Sequence, residues 1–266
     1  MNNSNHSAAP GRVVCDLTVE SNTPLGPLYG LLSLRADGPL PAVAAGQFAQ
    51  VRIDRSKTTF LRRPISICTA DPAAGRIELL VRRAGAGTDA LLAVEPGEKV
   101  NMMLPLGRGF SRPASTDAKL LLVGGGVGVA PMLALGLELK AAGYSPEFLL
   151  GARTAADLLL LDRFEKLGPV HVTTDDGSAG TRGVVTAHAR LNRPVNMIYC
   201  CGPKPMMVAI AAAAARIGAE CEVSLENMMA CGVGACLCCV EKTTKGNVCV
   251  CTEGPVFNIK QLTWQD

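Results

Sequence analysis

The chain has 266 residues, 48% of them apolar, with 26 Lys+Arg against 23 Asp+Glu and a formal net charge of +3. That length accommodates two domains and an appendage with a sizeable core, and the mild charge without a long basic run argues against a nucleic-acid partner. The polar stretch Met1–Pro10 has no apolar segment of a secretory signal, and the longest apolar run, Met206–Ala215, is too short to cross a bilayer and reads as a buried helix, so a cytoplasmic, non-membrane protein is expected.

In chain order, short apolar runs cut by Gly and Pro come first: Val13–Val19, Gly30–Leu34, Phe48–Ile53, Ile65–Cys68, Ile77–Val81 and Lys99–Leu104. Strands at this spacing suggest an antiparallel barrel. From Lys119 the texture changes. Strands are expected at Leu120–Val123, Glu147–Leu150, Val170–Thr173 and Met197–Cys200, and helices at Met132–Ala142, Leu158–Leu167, Val184–Arg190 and Pro205–Ile217. Such alternation means a parallel α/β sheet. From about Cys221 the chain is cysteine-rich and has no long periodic element. The expected division is therefore 11–114, 115–220 and 221–266.

Three local patterns carry chemistry. Leu61-Arg62-Arg63-Pro64-Ile65-Ser66, with Leu80-Val81-Arg82 and Gly87-Thr88 after it, offers guanidinium, hydroxyl and backbone N–H groups to phosphates; a surface arginine pair and a helix start capped by Thr88 are the plainer alternatives. Gly124-Gly125-Gly126-Val127-Gly128 follows a strand, and a helix opening with Pro131 comes next. Glycines let a pyrophosphate approach a helix N-terminus, although a tight turn for close packing fits as well. Of the 11 cysteines, Cys231-x4-Cys236-x2-Cys239 with a distant fourth, Cys249 or Cys251, has the plant-type spacing of 2Fe–2S ligands. Zinc prefers paired Cys-x2-Cys knuckles, and only Cys236 and Cys239 form one. Gly232 and Gly234 lie where a loop must fold with its N–H groups toward sulfur.

Arg-Pro-Ile-Ser, Gly-Thr, Gly-Gly-Gly-x-Gly-x-Ala-Pro and then Cys201-Gly202-Pro203 together resemble the ferredoxin–NADP reductase superfamily. The resemblance implies an antiparallel FAD-binding β-barrel, a parallel α/β NAD-binding domain and, here, a small C-terminal 2Fe–2S segment. It implies that Arg63 contacts the FAD pyrophosphate, that Ser66 lies near flavin N5, and that Pro64 and Ile65 shape the isoalloxazine wall. Leu80, Val81 and Arg82 would line FAD, and Gly87 and Thr88 would hold its phosphates. Gly124, Gly125, Gly126 and Gly128 would face the nicotinamide nucleotide, with Cys201 near the nicotinamide as the catalytic candidate; a buried core thiol is its plainer reading. Unlike the wider superfamily, the chain runs past the flavin into the cluster segment. Arg153 could stand near a 2′-phosphate or simply lie on the surface.

The tail, Ser224-Leu225-Glu226 through Met229-Ala230-Cys231 and on to Cys251-Thr252-Glu253-Gly254-Pro255-Val256-Phe257, resembles one branch of that superfamily, the electron-transfer subunits of NAD-dependent dihydroorotate dehydrogenases. There the last ligand precedes Gly-Pro-Val-Phe by two residues, which selects Cys251 beside Cys231, Cys236 and Cys239. The branch implies an FMN-containing dihydroorotate dehydrogenase catalytic subunit as partner, in a heterotetramer of two of each, with electrons passing to NAD⁺ through the cluster and FAD. Similar subunits serve NADH-dependent ferredoxin:NADP oxidoreductases, sulfide dehydrogenases and hydrogenases. A zinc-stabilised, non-catalytic nucleotide-binding module is the alternative of another class.

Overall fold

In the computed structural model, residues 11–264 are described; the reading of Met1–Pro10 as lacking a leader falls outside them. Six segments form a closed antiparallel barrel: β1 (Val13–Pro24), β2 (Tyr29–Arg35), β3 (Phe48–Val51), β4 (Arg63–Asp71), β5 (Arg76–Arg82) and β6 (Lys99–Leu106). Their order is β1–β2–β5–β4–β3–β6, and β6 closes on β1. Closure leaves no free edge. Period-two alternation turns Leu17, Leu32, Leu79 and Met102 inward. Strand β3 is buried on both sides. Ala49 and Val51 face the barrel interior, while Phe48 joins a core shared with the C-terminal cysteines. The short helix α1 (Ala86–Leu91) lies between β5 and β6.

The second unit alternates strands and helices: β7 (Leu120–Gly125), α2 (Val129–Ala141), β8 (Pro146–Ala152), α3 (Leu161–Glu165), β9 (Val170–Thr174), β10 (Thr181–Arg182), β11 (Met197–Cys201), α4 (Lys204–Ile217) and β12 (Glu220–Ser224). Its helix α2 opens at Val129, two residues before Pro131, which stays inside the first turn where its missing N–H has no partner to lose. The apolar run Met206–Ala215 lies in α4, whose Met207, Ile210, Ala211, Ala213 and Ala214 are buried. No helix among the described residues is long and apolar enough to cross a membrane.

Two helix expectations need correction. Leu158–Leu167 keeps only α3, because Leu160 at φ 57° interrupts the pattern. Val184–Arg190 forms two short 3-10 turns, Val185–Ala187 and Ala189–Asn192. β-Branched Val184, Val185 and Thr186 disfavour the α state, and the His188 ring takes the Arg190 N–H at 3.0 Å.

The cysteine-rich end contains a hairpin, β13 (Val240–Thr243) and β14 (Gly246–Cys249), then α5 (Val250–Glu253) and β15 (Val256–Asn258). Strand β15 returns to the large sheet, whose order is β10–β9–β8–β7–β11–β12–β15; β15 is antiparallel and the rest are parallel. Ser224 pairs with Val256, and the Leu225 N–H donates to the Pro255 carbonyl at 2.9 Å. The whole cysteine segment is thus an excursion between two adjacent strands. Barrel and sheet are joined by Ala45 N–H to Glu138 Oε1 (2.6 Å) and by the Arg163–Glu78 ion pair (2.7 Å).

Candidate functional site

A cleft of about 590 Å³ opens where barrel, glycine loop and cysteine excursion meet. Arg63, Pro64, Ile65 and Ser66 from β4, with Leu80 and Arg82 from β5, line its barrel side. Val81 does not; its side chain belongs to the barrel core, so it offers the cleft backbone alone. The two arginines have separate fates. Arg62 is tied by Nη2 to Asn101 Oδ1 (2.6 Å) and by Nη1 to the Gln50 carbonyl (3.1 Å). Arg63 is folded back on the Leu61 and Arg62 carbonyls, and its Nε would stand 2.8 Å from a Cβ at Gly87. Glycine there admits the guanidinium to the turn of α1, so the residues expected to grip phosphate meet. Thr88 is not the N-cap of α1. Gly85 is, and Thr88 Oγ1 accepts the Ala84 N–H at 2.8 Å while donating to the Gly85 carbonyl. A guanidinium beside a side-chain-free turn, with an apolar wall and the Ser66 hydroxyl beyond, fits a flavin dinucleotide.

Across the cleft stand Glu226, Met228, Met229 and Cys238 of the cysteine excursion. Glu226 is an exposed residue of the cleft wall, but neighbouring protein crowds its carboxyl, and the partial loss of solvation raises its pKa against the opposing pull of Arg82.

A second cleft, about 440 Å³, shares Arg82 with the first and lies over the carboxyl ends of the parallel strands. Gly125 and Gly126 face it, with Pro203 and Met206 opposite. Gly124 and Gly128 instead serve packing. A Cβ at Gly128 would fall 2.3 Å from the Cys201 carbonyl oxygen, and one at Gly124 3.0 Å from Val129. Arg153, Asp157 and Asp175 form the polar end of this cleft. Thr173, fully buried, lines it with a hydroxyl that has no partner among the described residues. An orphaned hydroxyl beside bare backbone fits a sugar–phosphate ligand. Cys201 ends β11, is 1% exposed and lines neither cleft. Burial pushes its thiol well above the usual range, partly opposed by a hydrogen bond with Ser224.

The cysteines gather at the other side of the excursion. Pairing of Val240 with Cys249 brings Cys239 beside the start of α5, where the Cys251 N–H points to Cys239 Sγ at 3.4 Å. Gly232 (φ +73°) and Gly234 (φ +82°) bend the loop so that N–H groups face sulfur: Val233 to Cys231 Sγ at 3.4 Å and Gly234 to Cys251 Sγ at 3.1 Å. The N–H groups of Val233, Cys236 and Ala235 lower the Cys231 thiol to about 6. Cys251 is pushed up to about 12, chiefly by burial. Cys249 behaves differently, its thiol donating toward the Gly234 carbonyl at 3.9 Å. Sulfur that accepts N–H bonds suits a metal-bound thiolate, and sulfur that donates is a neutral thiol. Among the described residues no three Cys, His, Asp or Glu side chains are placed to hold a single metal ion. Thiolates shared between two irons need not converge on one point.

Residues 226–263 match the family model of the iron-sulfur cluster binding domain of dihydroorotate dehydrogenase B, and residues 122–212 match the oxidoreductase NAD-binding domain. The chain is 40% identical over 223 residues to the dihydroorotate dehydrogenase B (NAD(+)) electron transfer subunit of Shouchella clausii, covering 82% of this chain and 85% of that one. The chain belongs to this family of electron transfer subunits. The Fusobacterium nucleatum member is 35% identical over 250 residues, covering 91% of this chain and 95% of its own. Among solved structures, that of an NADH-dependent reduced ferredoxin-NADP oxidoreductase, described for flavin-based electron bifurcation, superposes with a TM-score of 0.81 at 28% identity over 94% of this chain and 90% of that chain. The ferredoxin reductase of carbazole 1,9a-dioxygenase shares the fold alone, at TM-score 0.70 and 22% identity over 80% of this chain and 68% of its own.

Family membership bears out the fold class, the iron–sulfur, flavin and nicotinamide cofactors and the oxidoreductase class. The structure also adds residues that motif reading missed. Glu226, Met228 and Met229 enter the flavin-side cleft and Thr173 and Asp175 the nucleotide-side cleft. Glu226 and Met229 belong to the tail pattern that carries the family resemblance, but that pattern gave them no role; Met228 had only its position just upstream of Cys231, and Thr173 and Asp175 theirs at and just after the end of a parallel strand.

Proposed function

We propose that this chain passes electrons between NAD⁺ and the FMN of a partner subunit that oxidises dihydroorotate to orotate, in the cytoplasm and within a heterotetramer of two of each subunit. The observation that carries this reading is the shared cleft. Arg63, Pro64, Ile65, Ser66, Leu80 and Arg82 of the barrel and the excursion that carries the cysteines line one space, with the nucleotide cleft adjoining at Arg82. When bound, FAD exchanges a hydride with the nicotinamide and single electrons with a 2Fe–2S cluster. Arg63 and the turn at Gly87–Thr88 anchor the pyrophosphate. Pro64, Ile65 and Leu80 wall the ring, Ser66 donates to its edge, and Val81 contributes backbone. Arg82 stands where the two clefts meet, and its charge opposes the rise that desolvation imposes on the Glu226 carboxyl. Gly125 and Gly126 admit the nicotinamide nucleotide, while Gly124 and Gly128 set the approach of α2. Cys201, buried behind Gly128 and outside both clefts, would support the nicotinamide side through its backbone rather than touch the ring with its thiol. Cys231, Cys236, Cys239 and Cys251 ligate the cluster, with Cys238 and Cys249 left over.

The division into a barrel at 11–114, a nucleotide domain at 115–220 and a cluster segment at 221–266 is kept as a functional partition, although β12 runs across the second boundary. The test is a coupled assay. Purified chain mixed with an FMN-bearing dihydroorotate dehydrogenase subunit from the same source should reduce NAD⁺ when given dihydroorotate. Alone it should oxidise NADH with a dye and leave dihydroorotate untouched. A stable cognate complex with no coupled turnover would overturn the substrate assignment in favour of another oxidoreductase partner.

A further inference from the structure

Gln50 is fully buried, yet neither Nε2 nor Oε1 of its side chain has a hydrogen-bond partner among the described residues. Burying an unpaired amide is costly, and an apolar side chain of the same length would fill the space without that cost. Its neighbour in sequence, Gln47, shows the usual solution: Oε1 accepts the Ala44 N–H at 2.8 Å and Nε2 donates to the Gly107 carbonyl at 2.9 Å. Gln50 therefore calls for a partner that is not protein.

The direction of the side chain says what that partner is. Ala49 and Val51 fill the barrel core, so Gln50 leaves β3 on the opposite, outer face with Phe48. There it meets the cysteine loop. A Cβ at Gly232, the residue after Cys231, would lie 2.6 Å from Gln50 Cγ and 3.0 Å from Nε2. Across the sheet Gln50 pairs with Met103, which packs on the core containing Cys239 and Cys251, and with Pro64, which lines the flavin-side cleft. The adjoining N–H groups of Val233 and Gly234 already aim at cysteine sulfur. Sulfur in such a site accepts and does not donate, so it takes the nitrogen end of the amide.

We propose that the side-chain amide of Gln50 donates a hydrogen bond to a sulfur of the iron–sulfur cluster held in this loop, and so favours the reduced cluster. The inference rests on the reading that Cys231, Cys236, Cys239 and Cys251 hold that cluster. Reduction adds a negative charge to the iron–sulfur core, and hydrogen bonds to its sulfurs are among the determinants of its potential.

The test is a redox titration of the complete holo-chain, following the reduced cluster by electron paramagnetic resonance and FAD by its absorption. In Gln50→Met, iron and FAD content should match the unaltered chain and the FAD midpoint should not move. The cluster midpoint should fall by the equivalent of roughly tenfold in the reduced-to-oxidised ratio, about 59 mV for a one-electron couple. Full iron content with an unmoved cluster midpoint overturns the proposal. If Gln50→Met does not retain iron, the unaltered chain carrying ¹⁵N in its glutamine side chains decides. Pulsed resonance of the reduced cluster should show a coupled side-chain nitrogen, and its absence overturns the proposal. A chain that binds FAD but never acquires a 2Fe–2S signal refutes the underlying cluster reading instead.

Discussion

At the scale of single residues, the rivalry between Cys249 and Cys251 shows what spacing alone can carry. Both lie within reach of the loop, and two residues of slip separate them. The fold separates them by chemistry. Cys251 is buried and accepts the Gly234 N–H, whereas the Cys249 thiol donates to the Gly234 carbonyl. Cys251→Ala should therefore abolish cluster absorption and iron binding, while Cys249→Ala keeps both; iron and sulfide analysis distinguishes them, and the reverse pattern would refute the ligand set. Arg63 is a second case. The paired arginines were legible as a phosphate motif, but not which one is free to act. Arg62 is committed to Asn101 and the β3 backbone, so Arg63 remains for the pyrophosphate. A charge-assisted bond of about 1.5–3 kcal/mol makes FAD retention in Arg63→Ala weaker by roughly ten- to a hundred-fold. Equilibrium FAD titration checks this, and unchanged affinity would exclude Arg63 as the anchor. Gln50 carried no sequence signal at all. A single amide inside the run Phe48–Val51 gains meaning only when the cysteine loop, far along the chain, folds over it.

Among the elements, the barrel strands and the parallel strands β7, β8, β9 and β11 were readable because an apolar run marks the centre of each, although their ends were not: β1 runs five residues past Val19 to Pro24, and β4 extends beyond Ile65–Cys68 on both sides. Strands β12 and β15 escaped. The sequence Glu220-Cys221-Glu222-Val223-Ser224 reads as the edge of the cysteine region, and its pairing with Val256–Asn258 is non-local. The expected helix at Val184–Arg190 failed for a related reason, since Arg190 is recruited by a distant partner. Its guanidinium, 4% exposed, donates to Glu147 Oε2 of β8 at 2.6 Å, and the same oxygen lies 3.3 Å from His171 Nε2 of β9. The Arg190 hydrogen bond, and then that of His171, hold the Glu147 carboxyl below the usual range. A depressed carboxylate stabilises the fold above its ordinary pKa and loses that contribution as acidification passes its folded value. Arg190→Met should cost about 1.5–3 kcal/mol near neutral pH in denaturant unfolding. The difference from the unaltered chain should shrink as pH falls below the carboxylate range; a pH-independent difference would assign the effect to packing alone.

For the molecule as a whole, the cofactor sites are coupled because they share walls. Met228, Met229 and Cys238 belong to the excursion that carries the cluster ligands, yet they line the flavin-side cleft. Whatever orders that loop also completes the other cleft, so the two occupants favour each other. Cys236→Ala, at a residue that does not line the flavin-side cleft, should weaken FAD binding at least about fivefold. Titration of FAD into the iron-free variant measures it, and equal affinity would show that the loop keeps its shape without iron. None of this coupling was visible in the sequence, where the arginine motif and the cysteines lie far apart. The return of the chain at Val256 has a further result. Because the excursion begins and ends on neighbouring strands, with Ser224 facing Val256 and Phe257 and Ile259 buried in the core beyond, a severed backbone inside it would still be fastened at both stumps. Exposed Lys242 and Lys245 on the hairpin offer trypsin such a place. The nicked protein should migrate as one particle in native conditions and as two fragments after denaturation, with its nucleotide cleft still able to bind NADH.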